Sequence, residues 1–480
     1  MRKIYKTLIL MALLSTSFTM CVNANDINAA NNKADSDISI KNGEKVLNIE
    51  LKEAVETALK NNYDIQLSKT GLEKAEATVE EARSSKRPTV KYSWQAGRAK
   101  VTVPSAEQIQ LLKGINKSLK DNNFPFQFPI NPKTVVGTRY TQNLNVIWPV
   151  WTGGAAENAI DAAKYAESVS KTDIYQKEAD VKLAATEAYF GYLKTLNMVE
   201  VTNKAVQNLS EHVNNVKLQY DAGIVAKLDV LSSEVSLANA KEMNIAAKNY
   251  KDVAEANLNN VMNTPIDTKL SPKSKDFPEP EIKITMDEAI KSAEKYRWEL
   301  IKAKYAIEIA KAQVGMNKAG NKPVAAVGGG FDWTGSALSG FDKDNWKVFG
   351  TVNWNLWDGG ASAAKVKKAQ ASVKEAEQIF KQAQNKIKLE IKKDYLDVFA
   401  AKAKIQTARA TVEQAEQAYK ISVIRYRSGV GTNLDVLDGQ LALSKAKTNY
   451  INAMYDYNIG LAKLERAMGI PAVLHKEFSK

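Results

Sequence analysis

The sequence is poor in the residues on which most protein chemistry depends. Its 480 residues include two histidines, His212 and His475, and one cysteine, Cys21. Two scattered imidazoles cannot build a histidine metal centre, and one thiol excludes a disulfide framework, a zinc ribbon or an iron–sulfur cluster. No metal or cofactor is expected. No glycine-rich phosphate loop follows a strand, since Gly328-Gly329-Gly330 falls inside an alternating segment, and no Ser/His/Asp set is suggested, so the chain does not read as an enzyme. Long apolar runs are also missing: none reaches the roughly 18 to 20 residues of a membrane helix. The 67 Lys and Arg exceed the 54 Asp and Glu, giving a net charge of +13. Because the two signs are interleaved along helices, this reads as a solvated surface and no nucleic-acid partner is expected.

Residues 1–24 read as an export signal. Arg2, Lys3 and Lys6 precede the apolar run Leu8 to Leu14, and Val22-Asn23-Ala24 precedes Asn25. Cleavage there would remove Cys21; a lipid-modified Cys21 is the competing expectation. Residues 25–46 are polar, lack aromatics and are expected to be a flexible N-terminal segment.

Internal repetition sets the architecture. Leu47 to Val90 aligns without a gap on Ile282 to Ala325 at an offset of 235, and Trp151 to Pro265 aligns on Trp357 to Pro471 at an offset of 206. The first half therefore carries 29 extra residues between Val90 and Trp151. The expected division is a first repeat at 47–265, a linker at 266–281, a second repeat at 282–471 and a tail at 472–480. The linker is proline-rich, with Pro272, Pro278 and Pro280 just after Pro265. Each repeat is expected to contain a helix, a β-hairpin, a very long helix and another helix. Val366, Ala369, Val373, Ala376, Phe380, Ala383 and Ile387 form a heptad seam suited to helix-on-helix packing. Proline is absent from 155–221 and 361–428, so each predicted long helix would extend about 100 Å.

Four segments alternate with period two and are predicted strands at about 88–103, 135–151, 323–334 and 345–357. Trp94, Trp148, Trp151, Trp333, Trp346, Trp354 and Trp357, seven of the eight tryptophans, lie in or beside them. That placement fits aromatic belts at two membrane interfaces; a soluble sheet with one buried face is the alternative. Four strands cannot close a barrel, and hydrocarbon leaves open edges unpaired at several kcal/mol per group. Two chains would give eight strands with a filled interior, and three would give twelve with a lumen.

The duplicated order, the strand ends Val150-Trp151-Thr152-Gly153-Gly154 and Leu356-Trp357-Asp358-Gly359-Gly360, and the Tyr-x-x-Gly-x-x-x-x-Leu-Asp-Val-Leu elements at Tyr220 and Tyr426 resemble the TolC-type outer-membrane efflux proteins. The resemblance implies a mainly helical α+β membrane protein, a homotrimer whose 12-stranded barrel continues into an α-helical periplasmic tunnel. It implies a passive export conduit of a tripartite efflux pump or a type I secretion system. Its partners would be a periplasmic adaptor (membrane fusion) protein and an inner-membrane pump or ABC exporter. A secreted structural or adhesive coiled-coil protein of the envelope is the other class considered.

Gly223 and Gly429 are expected to end the long helices in left-handed caps, with Leu228 and Leu434 in the turns that follow. By resemblance these turns form the periplasmic tip. Asp435 and Asp438, one turn apart on one face, match positions of acidic rings at the closed end, and Asp229 is the first-repeat counterpart of Asp435. Complementing the helix dipole is the plainer role of a first-turn aspartate. Gly431 stands where some members carry an arginine that could brace the closed state. The hairpin loop Arg98 to Tyr140 carries seven basic and two acidic residues with Phe124, Phe126 and Phe128. It is expected outside the cell, where outer-membrane lipid could attract it; a merely solvated loop is the alternative.

Overall fold

The structure, a computed structural model, describes residues 38–41, 44–103, 105–131, 133–335 and 343–470. The expected signal segment and C-terminal tail lie outside these residues. The elements in chain order begin with β1 (Ile38–Lys41), β2 (Glu44–Ile49), α1 (Leu51–Asn61), α2 (Tyr63–Ser84), β3 (Thr89–Val103), α3 (Ala106–Asp121), β4 (Lys133–Trp151), α4 (Ala155–Asp221) and α5 (Lys227–Met262). After β5 (Lys269–Pro272) the order recurs as α6 (Met286–Tyr296), α7 (Trp298–Lys318), β6 (Val324–Gly335), β7 (Lys343–Asn353), α8 (Ala361–Arg427) and α9 (Asn433–Ala467).

The duplication is visible in detail. Both long helices, α4 and α8, have 67 residues. The single helix expected before each hairpin is in fact two, broken at Asn62 and again at Arg297, positions related by the 235 offset. At the first break the Asn62 side chain accepts a hydrogen bond from the Asp64 N–H at 2.8 Å, giving α2 its own start. Every residue of the expected α8 seam, from Val366 to Ile387, is buried or half-buried.

The chain divides into two compact units. One holds residues to 65, 177–293 and from 389 onward. Its core joins Ile49, Tyr192, Leu193, Leu258, Met262 and Leu270. The buried Tyr192 hydroxyl donates to the Leu270 carbonyl at 2.7 Å, and the buried Glu255 carboxylate accepts from the Leu270 N–H at 2.7 Å. A three-stranded sheet, ordered β1-β2-β5, is part of this unit; β1 pairs antiparallel with β2, and β2 pairs parallel with β5. One expectation meets a different outcome here, and another gains detail. Ile38–Lys41 is a strand within the stretch expected to be flexible, because β2 offers it an edge to pair with. The inter-repeat linker is packed as well: Phe277 stacks on Phe190 at 5.9 Å, Asn458 donates to the Pro278 carbonyl at 3.0 Å, and the Tyr457 hydroxyl donates to the Pro280 carbonyl. Proline lacks a donor but keeps its acceptor, and these acceptors are used.

The other unit, residues 66–176 and 294–388, carries a four-stranded antiparallel sheet ordered β3-β4-β6-β7. Its register sorts the residues into two faces. Tyr92, Leu144, Phe331 and Trp346 form one row, and Val90, Val146, Gly329 and Val348 the next. The opposite face has Ser93, Asn143, Asp332 and Asn345 in one row and Lys91, Asn145, Gly330 and Lys347 in another, with Lys347 paired to Asp332 at 3.2 Å. In these rows one face is apolar and the other polar across all four strands. The triple glycine belongs to this packing. A Cβ on Gly328 would lie 2.7 Å from the Phe349 ring, and one on Gly330 would lie 2.5 Å from Asn145 Oδ1. The glycines thus leave room for both side chains to lie close over the strand.

Two strand-level expectations are refined. β7 ends at Asn353, so Trp354 and Trp357 follow the strand and are not part of it. A register shift between Pro149 and Trp151 pairs Trp151 with Ala325, on the apolar face of β6. Strict alternation would have placed Trp151 opposite; the bulge turns it over. The long hairpin loop contains helix α3, capped by Ser105, whose side chain accepts from the Gln108 N–H at 3.3 Å. No described helix is long and apolar enough to cross a membrane.

Candidate functional site

Two regions hold the residues singled out from the sequence. The first is the pair of helix turns in the first unit. Gly223 and Gly429 adopt φ values of 73° and 75°, the left-handed region glycine favours. In each turn the third residue past the helix closes the same bond: Ile224 N–H to the Gln219 carbonyl at 2.8 Å, and Val430 N–H to the Arg425 carbonyl at 3.0 Å. Gly431 is tightly fitted, since a Cβ there would meet the Tyr426 nitrogen at 2.9 Å.

The next helix starts are not equivalent. Thr432 caps α9, and Asp435 completes a capping box: its N–H donates to Thr432 Oγ1 at 3.1 Å and its Oδ2 accepts from the Thr432 N–H at 2.9 Å. These bonds from Thr432 hold the Asp435 carboxyl below its ordinary range. At the matching start of α5 stands Ala226, which offers no side-chain cap. The Asp229 carbonyl instead accepts from Asn433 Nδ2 at 3.1 Å, tying one turn to the other. Asp438 is exposed and makes no hydrogen bond or ion pair among the described residues. It borders a groove of about 1290 Å³ shared with Leu434, Leu437, Leu441, Met243 and Tyr250. Leu228 and Leu434 are both exposed. The structure therefore brings Asp435 and Asp438 onto one helix face, engages Asp435 in the helix start, and leaves the Asp438 carboxylate free.

Behind these residues lies a buried cluster that sequence reasoning missed. Val216, Val230, Tyr426 and Val436 come from α4, α5, α8 and α9 in turn and pack together. His212, 5% exposed, donates from Nε2 to Asn433 Oδ1 at 2.6 Å, and Ser233 Oγ lies 3.0 Å from the same oxygen. The His212 ring meets Tyr426 edge-on at 5.0 Å. Burial pulls the His212 pKa down against the opposing Asn433 bond, with the Arg427 charge a smaller contribution in the same direction as burial. Burial, helped by the Asp229 charge, pushes the Tyr426 hydroxyl up, and that hydroxyl is buried without a hydrogen-bond partner among the described residues. Only the Thr-x-x-Asp spacing at Thr432 was a local signal of this arrangement.

The second region is the apolar face of the four-stranded sheet. Trp94 shares a row with Gln142 and Trp333, and its ring lies 6.3 Å from that of Tyr140; Phe331 stacks on Trp333 at 5.7 Å. Trp346 is exposed one row further along. At the other end Trp148, Trp151, Trp354 and Trp357 are also exposed. Trp148 Nε1 donates to the Lys86 carbonyl at 3.0 Å and Trp354 Nε1 to the Asn321 carbonyl at 3.1 Å. The donors are related by the 206 offset and the acceptors by the 235 offset, so the repeat preserves the bond as well as the residue. Tyr140 to Trp148 is eight steps of strand, about 26 Å, or roughly 20 Å along the membrane normal at a tilt near 40°, the scale of an apolar band between aromatic girdles.

An apolar sheet face banded by tryptophan, borne by a duplicated, mainly helical chain, defines a class: channel proteins of the outer membrane. Residues 54–264 and 289–470, the two repeats, match the family described as outer membrane efflux protein, and the chain belongs to that family. The family is one of trimeric, non-enzymatic efflux channels of the outer membrane. The chain is 22% identical over 313 residues to the outer membrane protein TolC of Escherichia coli (strain K12), an alignment covering 62% of each chain, so it spans about three fifths of that relative's length. The fold is similar to that of the outer-membrane channel OprN, with a TM-score of 0.73 at 18% identity, covering 87% of this chain and 89% of the other. It is equally similar to the Campylobacter jejuni CmeC outer membrane channel, at a TM-score of 0.73 and 18% identity, covering 87% and 85%.

Proposed function

We propose that three copies of the chain close a 12-stranded barrel in the outer membrane and form a passive export conduit. The observation that carries this is the open sheet: β3 and β7 are both edge strands of a sheet with one apolar, tryptophan-banded face. In hydrocarbon their unpaired backbone groups are untenable, and head-to-tail pairing of β7 with the β3 of the next copy removes both edges. The helices need neighbours too. Leu228, Val235, Ile245 and Val253 on α5 and Leu389 and Leu396 on α8 are all more than half exposed in the single chain. Mass measurement and cross-linking in mild detergent test the closure: a trimer carrying single-channel current is expected, and a monomer stable in membranes would refute it.

The conduit does no chemistry of its own. Energy and cargo choice would come from an inner-membrane pump or ABC exporter joined through a periplasmic adaptor, in drug efflux or type I secretion. The helix turns at Gly223 and Gly429 form the periplasmic tip. Asp438, exposed and unpaired, is the leading gate and selectivity residue; Asp435 adds charge on the same face while capping its helix, and Asp229 contributes mainly through its backbone. Threefold symmetry would place six carboxylates from Asp435 and Asp438 around one axis, where a narrow opening concentrates negative potential. Reversal potentials in a salt gradient decide this. Asp438→Asn should lose most of the cation preference with trimers intact, and unchanged selectivity would remove Asp438 from the gate.

A further inference from the structure

We propose that Arg98 and Lys100 form a binding site for the phosphate groups of a phosphorylated outer-leaflet lipid. The inference rests on the outer-membrane reading above and adds a ligand to it. Along β3 one face carries Val90, Tyr92, Trp94 and Ala96, and the next two positions on that same face are Arg98 and Lys100. The apolar series thus gives way abruptly to two cations at the level where the hydrocarbon ends.

The register fixes how far beyond the aromatic belt they stand. Ala96 pairs with Tyr140, Arg98 with Thr138 and Lys100 with Val136. Arg98 is two residues past the row of Tyr140, the outer ring of the belt, about 7 Å along the strand, or roughly 5 Å along the membrane normal at a tilt near 40°. That is headgroup depth rather than bulk water. The strands of the β6–β7 hairpin reach only to Gly335 and resume at Lys343, level with Tyr140, while β3 and β4 continue past them.

Partnering separates these two cations from the lysine across the sheet. On the polar face Lys347 is neutralised by Asp332 at 3.2 Å. On the apolar face Arg98 and Lys100 are exposed and have no acidic partner among the described residues. Two like charges spaced two residues apart on one strand face repel each other, and a phosphate offers both the missing counter-charge and acceptor oxygens. Arginine binds phosphate through its planar fork, and lysine adds a point charge. The loop they lead into holds five further basic and two acidic residues, so the local field favours the same ligand.

The test uses the full chain purified in mild detergent as its assembled oligomer, with lipid A and enzymatically dephosphorylated lipid A as probes. Bound lipid is counted by native mass spectrometry and affinity is read from titration. The wild-type chain should bind lipid A at least about tenfold more tightly than the dephosphorylated form, each cation near the surface being worth roughly a factor of five. Arg98→Gln/Lys100→Gln should lose that preference, and each single substitution should lose about threefold to fivefold, which keeps the question decidable if the double variant assembles poorly. Lys113→Gln/Lys117→Gln/Lys120→Gln in α3 should keep it within about twofold. Equal binding of both lipids by the wild type, undiminished binding by the double variant, or loss of preference in the α3 variant instead would overturn the assignment. Failure of the wild-type chain to appear in the outer-membrane fraction would overturn the membrane reading itself, a separate result.

Discussion

The two helix turns at Gly223 and Gly429 descend from one motif, yet they do different work. In the second turn Tyr426 is buried against His212 and Val216, Thr432 caps α9, and Asp435 closes the capping box. In the first, the matching Tyr220 is partly exposed with Lys227 over its ring at 5.2 Å, and Ala226 provides no cap. The backbone turn itself is the same in both, with matching glycine φ values and matching closing bonds. Duplication has therefore kept the turn and divided the anchoring: the second hairpin is the fixed element, and the first is held to it through the Asn433 bond to the Asp229 carbonyl.

The sharpest break of that comparison is a pair of tyrosine truncations. Tyr426→Ala empties a buried site and should destabilise the tip by about 3 kcal/mol, read as faster local hydrogen exchange in 212–230 and 426–440. Tyr220→Ala should change exchange by less than about 0.5 kcal/mol. Equal effects would mean that the hairpins are equivalent after all.

Gly223→Val and Gly429→Val should each cost about 1 to 2 kcal/mol, because both residues hold a left-handed φ that a branched side chain resists. Near-equal losses in thermal scans would place the asymmetry in the side chains rather than the backbone. Smaller again is the cap exchange. Thr432→Ala should lose about 1 kcal/mol, and Ala226→Thr should gain about 0.5 kcal/mol by giving Asp229 the partner that Asp435 already has. No gain from Ala226→Thr, by protease resistance at the first turn, would show that the α5 start cannot adopt the box.

A pH scan probes the same difference most gently. Burial keeps His212 neutral in the folded tip, so the unfolded tip binds more protons and stability falls as pH drops from about 6.5 through the lowered folded value. Asp435 has the opposite chemistry and a lower window. Its contribution is present above its ordinary 3.8 and is lost as pH falls through its depressed value. His212→Gln should abolish the upper step in exchange rates near 212 and leave the lower one. Persistence of the upper step would assign it to another group.

Much of this was legible in the sequence, because repetition supplied what one segment could not. The hairpins at 89–151 and 324–353 were expected within a few residues, and the cap glycines in their left-handed conformation followed from Tyr-x-x-Gly repeated at a fixed offset. What escaped prediction was non-local or depended on a single irregularity. The pairing of Val46 to Ile49 with Lys269 to Pro272 joins residues more than 200 apart, and neither segment alternates strongly enough to announce it. The face taken by Trp151 depends on one bulge beside Pro149. Helix α3 carries a Ser-x-x-Gln box at Ser105, a local signal set in a proline-rich loop whose composition points away from a helix. The His212 and Asn433 pair has no counterpart in the other repeat, where Ala418 and Lys227 stand, so repetition could not have revealed it.

The indole bonds of Trp148 and Trp354 make each chain a ruler for its membrane. Each ties the inner edge of the apolar band to the carbonyl at the end of a helix, so the band cannot slide along the strands without breaking a bond at both repeats. A lipid layer of the wrong thickness must then yield around the protein, thinning or thickening locally at a fraction of a kcal/mol per ångström. A sheet set in this way keeps a constant depth in the membrane, whatever the composition of the surrounding lipid.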